Sequence, residues 1–167
     1  VIPVKGIALL IDCFNELDHS MAELNIYGKL PNSANYLKNR CSNSVIHFKG
    51  GYNYNEISNV LSEIDVLVVP SIWYENSPLV IHEAFLAKIP VITSNLGGMA
   101  ELVSHEKNGL LFEPGNSDEL IEKMNLFIEN PELIKTYSQE TYVRSIQEDV
   151  EEIKKLYHEI LRRKEEN

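Results

Sequence analysis

The chain has 167 residues, of which 44% are hydrophobic and 24% charged, the composition and size of one soluble globular domain. Its net charge of −10 argues against nucleic acid or an anionic membrane surface as the main partner. Apolar runs are far shorter than the roughly 20 residues that span a membrane. The chain opens with neither an initiator Met nor a signal-peptide pattern, as a cut through a larger protein would. The two cysteines and five histidines have no metal-binding spacing, so we expect no metal.

Short helices and strands alternate through the first half of the chain. The pattern predicts, in order, a helix at 5–17, a strand at 24–27, a helix at 35–41, a strand at 45–48 and a helix at 55–64. The first helix is amphipathic, because its apolar residues recur at helical spacing. Gly28 and Gly50 follow the two strands, and Asn55 is a candidate N-cap.

The second half continues the alternation. It contains predicted strands at 65–70, 90–94 and 109–112 and predicted helices at 78–87 and 116–128. Ser77 is a suitable cap for the helix at 78–87, and Pro78 suits its first turn because that N–H has no partner to lose. Asn116 caps the last of these helices, with Glu119 at the capping-box position.

The order of elements predicts the fold class. Strands that alternate with helices indicate a parallel sheet covered on both faces. We therefore predict an α/β fold over residues 1–141, a Rossmann-like three-layer domain with a parallel sheet of about six strands. Residues 142–167 are predicted as a C-terminal helix whose apolar residues are spaced alternately by four and three. That spacing is compatible with a short coiled-coil seam, but a helix packed back across a domain surface is favoured.

Polar and glycine-rich segments follow the predicted strands, at the edge where parallel α/β sheets bind ligands. One of them contains Glu75, just before a helix start, and that helix contains Glu83, with seven residues between the two. A helix start offers free N–H groups and a positive dipole end, which suit phosphate. Carboxylates accept hydrogen bonds from hydroxyls. Phosphate and polyol together describe a nucleotide sugar.

The segment from Ile72 to Phe85 resembles the Glu-x7-Glu signature of retaining glycosyltransferases of family four, which have the GT-B fold. The following strand at 90–94, the Gly97-Gly98 pair and Glu101 extend the resemblance. It covers nearly the whole chain, from Lys5-Gly6 to the Pro131-Glu-Leu sequence. The chain thus resembles the C-terminal, donor-binding half of such an enzyme, and the resemblance implies that the last helix packs back toward an N-terminal domain.

The resemblance implies roles for three charged residues. Glu83 would accept hydrogen bonds from the ribose hydroxyls, and Glu75 would face the donor sugar near its anomeric carbon. Lys5 would bind the diphosphate and stabilise the charge that develops on the leaving nucleotide. We therefore assign Glu75 and Lys5 as candidate catalytic residues. The family's second cation, an Arg five residues before the Lys, lies outside this chain.

The resemblance also implies a set of donor-binding residues around these charges. The N–H groups of Leu79 and Val80 would face the diphosphate, whereas Pro78 has no N–H to donate. Trp73 and Tyr74 are expected to be packing residues. The segment from Phe48 to Tyr52 is expected to lie beside the base of the nucleotide. The predicted donor-binding residues are Glu83, Ser77, Pro78, Leu79, Val80, Gly97, Gly98, Gly28 and Gly50.

The whole protein is accordingly expected to move a hexose-type sugar from a UDP- or GDP-linked donor to an acceptor hydroxyl, with retention of configuration and no cofactor or metal. The acceptor would bind in an N-terminal domain that is missing here, so the isolated domain should bind nucleotide weakly and turn over little. We expect a cytoplasmic enzyme of polysaccharide or glycolipid biosynthesis, whose contact with the inner face of a membrane is not made through this domain.

Two other function classes stay open. A sugar-nucleotide epimerase with the GT-B fold shares the architecture but needs different acid and base residues. A non-catalytic flavodoxin-like binding module fits the size and acidity, but its acidic cluster and late Lys have no counterpart here. A nicotinamide-binding domain is disfavoured, because no Gly-x-Gly-x-x-Gly follows any predicted strand.

Overall fold

A computed structural model describes residues 3–18, 20–30, 35–42 and 44–165. Its α-helices are α1 (Ile7–Asn15), α2 (Asn35–Arg40), α3 (Ile57–Leu61), α4 (Leu79–Leu86), α5 (Gly97–Leu102), α6 (Ser117–Glu129), α7 (Glu132–Gln139) and α8 (Ile146–Glu165). Its strands are β1 (Leu24–Tyr27), β2 (Ile46–Gly50), β3 (Leu67–Val69), β4 (Val91–Ser94) and β5 (Gly109–Phe112). Short 3-10 helices at Pro3–Lys5 and Tyr54–Glu56 precede α1 and α3.

The strands confirm the predicted α/β class, because every strand pair is parallel. The sheet differs from the prediction in two ways. The described residues contain five strands rather than about six, and these form a β1–β2 sheet and a β3–β4–β5 sheet. Strand β5 is the last of the five, because the sequence after Phe112 has the helical periodicity of α6, α7 and α8. The two sheets are separate, because the ladders of the described residues do not join β1 to β3.

A cavity of about 1510 Å³ lies between the two sheets. Residues of β1 and β3 line its facing sides, and side chains of α1 and α6 line it as well. One of the lining residues, Asn25 of β1, has a buried side-chain oxygen without a hydrogen-bond partner among the described residues. The cavity extends beyond the strand ends, where the predicted site residues lie.

Strand β4 is the centre of the larger sheet, and all four of its residues are buried. Its side chains alternate between two apolar clusters, as the strand period of two requires. Ile92 packs in the cluster that contains α1 and α6, and Val91 in the cluster that contains α4 and α5. Helices therefore cover both faces of β4, as predicted for a three-layer domain.

The start of α1 is set by Gly6. The predicted helix at 5–17 begins only at Ile7, because Gly6 has a φ of +70° and separates it from the preceding 3-10 helix. A Cβ atom on Gly6 would lie 1.8 Å from the carbonyl oxygen of Pro70. Only glycine allows this approach. Lys5 is thereby held beside the residues that follow β3.

Two predicted caps have different outcomes. Asn116 is the N-cap of α6, and its side chain accepts the N–H of Glu119 at 3.2 Å. The predicted capping box does not form, because the Glu119 carboxylate accepts the N–H of Glu113 at 2.8 Å and the Asn116 N–H donates to the Glu113 carbonyl oxygen. The prediction for Asn55 was wrong, since Asn53 caps the 3-10 helix that leads into α3, in a capping box with Glu56. Both residues are Asn, so residue type does not distinguish them.

Helix α8 is exposed along its length. The apolar side chains of its predicted stripe have relative exposures between 42% and 78%, and they belong to Ile146, Val150, Ile153, Tyr157 and Ile160. Packing of this helix toward another domain stays a prediction, as does the boundary between residues 141 and 142. In the described part of the chain, no helix is both long enough and apolar enough to cross a membrane.

Candidate active site

The cavity brings together six of the residues that the sequence analysis singles out. They lie beyond the carboxyl ends of β1 and β3, on segments that are up to 78 residues apart in the chain. The six lining residues are Lys5, Gly28, Glu75, Pro78, Val80 and Glu83. The other predicted residues lie near them but do not line the cavity, namely Ser77, Leu79, Gly50, Gly97 and Gly98.

Lys5 and Glu75 form an ion pair at this place. The Lys5 ammonium donates a hydrogen bond to Glu75 Oε1. The Glu75 side chain is 19% exposed, and the Lys5 side chain 46%. The hydrogen bond from Lys5 lowers the pKa of the Glu75 carboxyl group, partial burial opposes that shift, and a hydrogen bond from Ser71 adds to it. Glu75 is therefore ionised at neutral pH.

Ser71 is a residue that sequence reasoning missed. It lies two residues beyond β3, is 0% exposed, and its hydroxyl oxygen is 3.1 Å from Glu75 Oε1. The available signal was a small polar residue directly after a buried strand, four residues before the first Glu of the signature. That position alone does not show where the hydroxyl points.

Helix α4 begins at Leu79, with Pro78 as its N-cap and no side-chain cap. The predicted capping role of Ser77 was therefore wrong. Its hydroxyl instead pairs with His82 Nε2 at 2.8 Å. The N–H groups of Leu79 and Val80 have no protein acceptor among the hydrogen bonds of the described residues. These two donors and the positive end of the helix suit an anion.

Glu83 lies one turn further along α4, half-buried and facing the cavity. Tyr52 lines the same cavity, and burial, followed by the negative charge of Glu83, raises the pKa of its hydroxyl group. The ring of Tyr52 packs edge-on against Tyr27 with 5.9 Å between ring centroids. Two aromatic rings and a carboxylate thus line the cavity together.

Gly97 and Gly98 begin α5 and pack under the loop that carries Glu75. The N–H of Gly98 donates to the carbonyl oxygen of Glu75 at 2.9 Å. A Cβ atom on Gly98 would lie 1.6 Å from the carbonyl oxygen of Asn76. Gly98 therefore lets two backbone segments approach more closely than any other residue would allow. The predicted contact of both glycines with a donor stays a prediction.

Gly28 and Gly50 lie side by side at the ends of β1 and β2. The N–H of Gly28 donates to the carbonyl oxygen of Gly50 at 2.7 Å. Both have positive φ angles, 129° and 78°. This N–H is consequently engaged within the protein, and a ligand would meet the backbone surface here.

Trp73 and Tyr74 were expected to be packing residues, and that expectation was wrong. They are 63% and 74% exposed, because the loop after β3 turns away from both apolar clusters before α4 begins. As for metals, the residues that the structure describes contain no group of three or more His, Cys, Asp or Glu side chains placed to hold an ion. The charged side chains that line this part of the cavity include Lys5, Glu75 and Glu83.

The chain is similar to known glycosyltransferases over most of its length. Residues 1–144 match the family described as Glycosyl transferases group 1. An uncharacterized glycosyltransferase of Methanocaldococcus jannaschii is 33% identical over 138 residues, which are 81% of this chain and 38% of that protein. The Escherichia coli UDP-Gal:alpha-D-GlcNAc-diphosphoundecaprenol alpha-1,3-galactosyltransferase is 43% identical over 67 residues, 40% of this chain and 17% of that protein.

The fold has solved counterparts as well. The structure of Anabaena HepE in complex with UDP-glucose matches with a TM-score of 0.75 and 28% identity, over 84% of this chain and 40% of that one. This chain thus spans about two fifths or less of the length of each of these relatives. The match over residues 1–144 and the shared fold show that the chain belongs to the glycosyl transferases group 1 family and forms one half of a GT-B fold.

Proposed function

We propose that the crevice binds the nucleotide-sugar donor of a retaining glycosyltransferase, with a UDP- or GDP-linked hexose as the donor. The observation that carries the proposal is the meeting of Lys5, Glu75 and the start of α4 at one end of the cavity, with Glu83 on the same helix. A cation and two free N–H groups suit the diphosphate. The two carboxylates suit the hydroxyls of ribose and sugar. The structure of HepE with UDP-glucose supports this ligand class.

Each charged residue has a distinct part in the proposed reaction. Glu83 holds the ribose diol, Glu75 holds the sugar hydroxyls, and Lys5 stabilises the charge on the departing nucleotide. The bond between the anomeric carbon and the diphosphate oxygen breaks while the acceptor oxygen bonds to the same face of that carbon. The acceptor proton passes to the departing phosphate. This route needs no nucleophile from the protein.

No metal or cofactor is part of the proposal. The leaving diphosphate needs positive charge, and Lys5 together with the dipole of α4 supplies it. The acceptor would bind in a second domain, because the relatives are a little more than twice as long as this chain. We therefore propose that this chain alone binds donor weakly and transfers little sugar. A cytoplasmic place in polysaccharide or glycolipid biosynthesis, with any membrane contact made through that second domain, completes the proposal.

Nucleotide binding tests the proposal directly. We expect UDP or GDP and their sugars to raise the melting temperature of this chain, and ADP and NAD to leave it unchanged. Glu83→Ala should weaken nucleotide binding about 10- to 100-fold, since it removes charge-assisted hydrogen bonds. The matched control is Glu129→Ala, which removes an exposed carboxylate from the end of α6. Equal loss in both variants, or no response to any nucleotide, would contradict the proposed function.

A further inference from the structure

We propose that Ser71 is a positioning residue, which holds the Glu75 carboxylate toward the donor sugar when the donor diphosphate draws Lys5 away. The inference rests on the proposed function and adds to it a residue that does not itself touch the donor. Ser71 is fully buried, so it acts through Glu75.

The contacts of Glu75 show what holds its carboxylate before a donor binds. Two groups contact the same oxygen, Oε1: the Lys5 ammonium and the Ser71 hydroxyl at 3.1 Å. Lys5 is a long side chain with nearly half of its surface exposed. Ser71 is short, and the packing around it leaves it no exposed surface. One partner of Glu75 can therefore move, and the other cannot.

The Ser71 hydroxyl has one hydrogen and three acceptors within reach. Besides Glu75 Oε1, these are the carbonyl oxygens of Val4 at 3.2 Å and of Trp73 at 3.4 Å. The Val4 oxygen already accepts the N–H of Ile72 at 2.9 Å. Glu75 offers the shortest of the three contacts and the only charged acceptor, so the hydroxyl donates to it.

A bound diphosphate changes the balance at Glu75. Its negative charges attract the Lys5 ammonium and repel the carboxylate beside it. Once Lys5 turns to the phosphates, Glu75 keeps only its bond to Ser71 to resist that repulsion. The effect of Ser71 should thus be small on a nucleotide without sugar and larger on a nucleotide sugar, whose hydroxyls need the carboxylate in place.

The experiment compares two dissociation constants measured by calorimetry, one for a nucleotide sugar and one for its nucleotide alone. The nucleotide sugar is the one of UDP-glucose, UDP-galactose and GDP-mannose that this chain binds most tightly. The nucleotide is then UDP or GDP, to match it. Ser71→Ala should weaken binding of the nucleotide sugar about tenfold and binding of the nucleotide alone less than about twofold. Ser94→Ala is the matched control. Ser94 is also 0% exposed and ends the neighbouring strand β4, but its hydroxyl has no partner among the described residues. Ser94→Ala should change neither constant.

A double-mutant cycle separates positioning from a general loss of structure. In the background of Glu75→Ala, the further change Ser71→Ala should have no effect on the nucleotide sugar, because there is no carboxylate left to position. Ser71→Ala should also raise the pH below which the sugar-dependent affinity is lost, since Glu75 loses a hydrogen bond to its ionised form. If Ser71 had a merely structural role, Ser71→Ala would weaken binding of the nucleotide sugar equally with and without the Glu75 carboxylate. The pH dependence of the affinity would then stay unchanged. If Ser71→Ala does not fold, Ser71→Cys is the second variant, because its slightly larger thiol fills the same place but is a much weaker donor.

The outcomes distinguish the inference from the function on which it rests. Equal weakening of nucleotide and nucleotide sugar, or an undiminished effect of Ser71→Ala without Glu75, would overturn the positioning role and leave the donor site intact. Absence of binding of every nucleotide to the unaltered chain would overturn the proposed function and, with it, the inference.

Discussion

At the scale of single residues, the candidate site contains two opposite charges that pair with each other. Lys5 and Glu75 are separated by 70 positions in the chain, yet their side chains are hydrogen-bonded. The pair is partly exposed, so it adds little to the stability of the fold. The pair matters because it keeps the positive charge of Lys5 close to the loop that leads into α4. In the proposed donor site, an entering diphosphate would meet this cation and would have to separate it from the carboxylate.

Removal of the Lys5 cation should affect ligand binding but not stability. Lys5→Ala should weaken UDP binding about 10- to 100-fold, because it removes a charged donor from the diphosphate. The thermal stability of the unliganded chain should hardly change, since the Lys5 side chain is nearly half exposed. Calorimetry with UDP measures the first quantity and a thermal melt the second. Lys155→Ala, on the exposed helix α8, is the control of equal charge. Unchanged UDP affinity in Lys5→Ala would remove Lys5 from the site.

At the scale of elements, the backbone at the start of α5 packs against the loop between β3 and α4 and positions it. Helix α4 has no side-chain cap, and its first N–H groups stay open because Ser77 pairs with His82 instead. The backbone of α5 supports the loop through the hydrogen bond from Gly98 to Glu75. Helix α5 thus helps to define where one carboxylate lies, and its close approach to the loop depends on glycine at its second residue.

Gly98→Ala tests this support. The added Cβ atom would overlap the carbonyl oxygen of Asn76, so the loop has to move away. We expect a loss of about 1 to 3 kcal/mol of unfolding free energy, as for other overpacked sites, together with at least about tenfold weaker binding of a nucleotide sugar. Urea unfolding and calorimetry measure the two effects.

Gly115→Ala is the control for Gly98→Ala. Gly115 has a φ of +80°, and a Cβ atom added there would meet no described residue within 4 Å beyond its chain neighbours. Alanine at this position therefore strains the backbone without touching the site. It should lower stability but leave donor affinity unchanged. Loss of affinity in Gly115→Ala of the same size as in Gly98→Ala would show that general destabilisation, rather than the loop, is responsible.

At the scale of the whole molecule, the chain has two unequal parts. Residues up to Val143 contribute to the two apolar clusters, and Lys88 bonds the carbonyl oxygen of Thr141 at 2.8 Å. Helix α8 follows with its apolar stripe exposed. Its first turn is capped locally, since the Ser145 hydroxyl accepts the N–H of Glu148 at 3.2 Å. Such a helix is held by its own caps and ion pairs rather than by the domain.

Truncation after residue 144 should therefore leave the melting temperature within about 2 °C of that of the untruncated 167-residue chain. The physical reason is that the apolar residues of α8 bury little surface against the described part of the domain. Phe127→Ala in α6 is the contrasting variant. That side chain is 4% exposed in the larger apolar cluster, so its loss should cost about 3 to 5 kcal/mol and lower the midpoint clearly. A comparable drop on truncation would show that α8 packs on the domain.

Much of the fold could be predicted because its signals are local. The bounds of β1 and β5 agree with the predicted strands residue for residue, and β4 within one residue, since each is a short apolar run between polar or glycine-containing turns. The caps were harder to predict. Asn116 agreed, whereas Asn55 and Ser77 did not, because several neighbouring polar residues can each satisfy the same helix start and the geometry of the turn selects one.

The sequence alone determined the α/β class, the parallel strands, the family, and the region in which Lys5, Glu75 and Glu83 meet. The class and the parallel strands follow from periodicity along the chain, which is a property of neighbouring residues. The family and the meeting region follow from the resemblance of its motifs to a known family. The division into two sheets, the hydrogen bond between Lys5 and Glu75, the buried hydroxyl of Ser71 beneath that pair and the exposure of Trp73 and Tyr74 were decided only by the tertiary structure. Each of these depends on how residues far apart in the chain are packed together, and that packing leaves no periodic trace in the sequence.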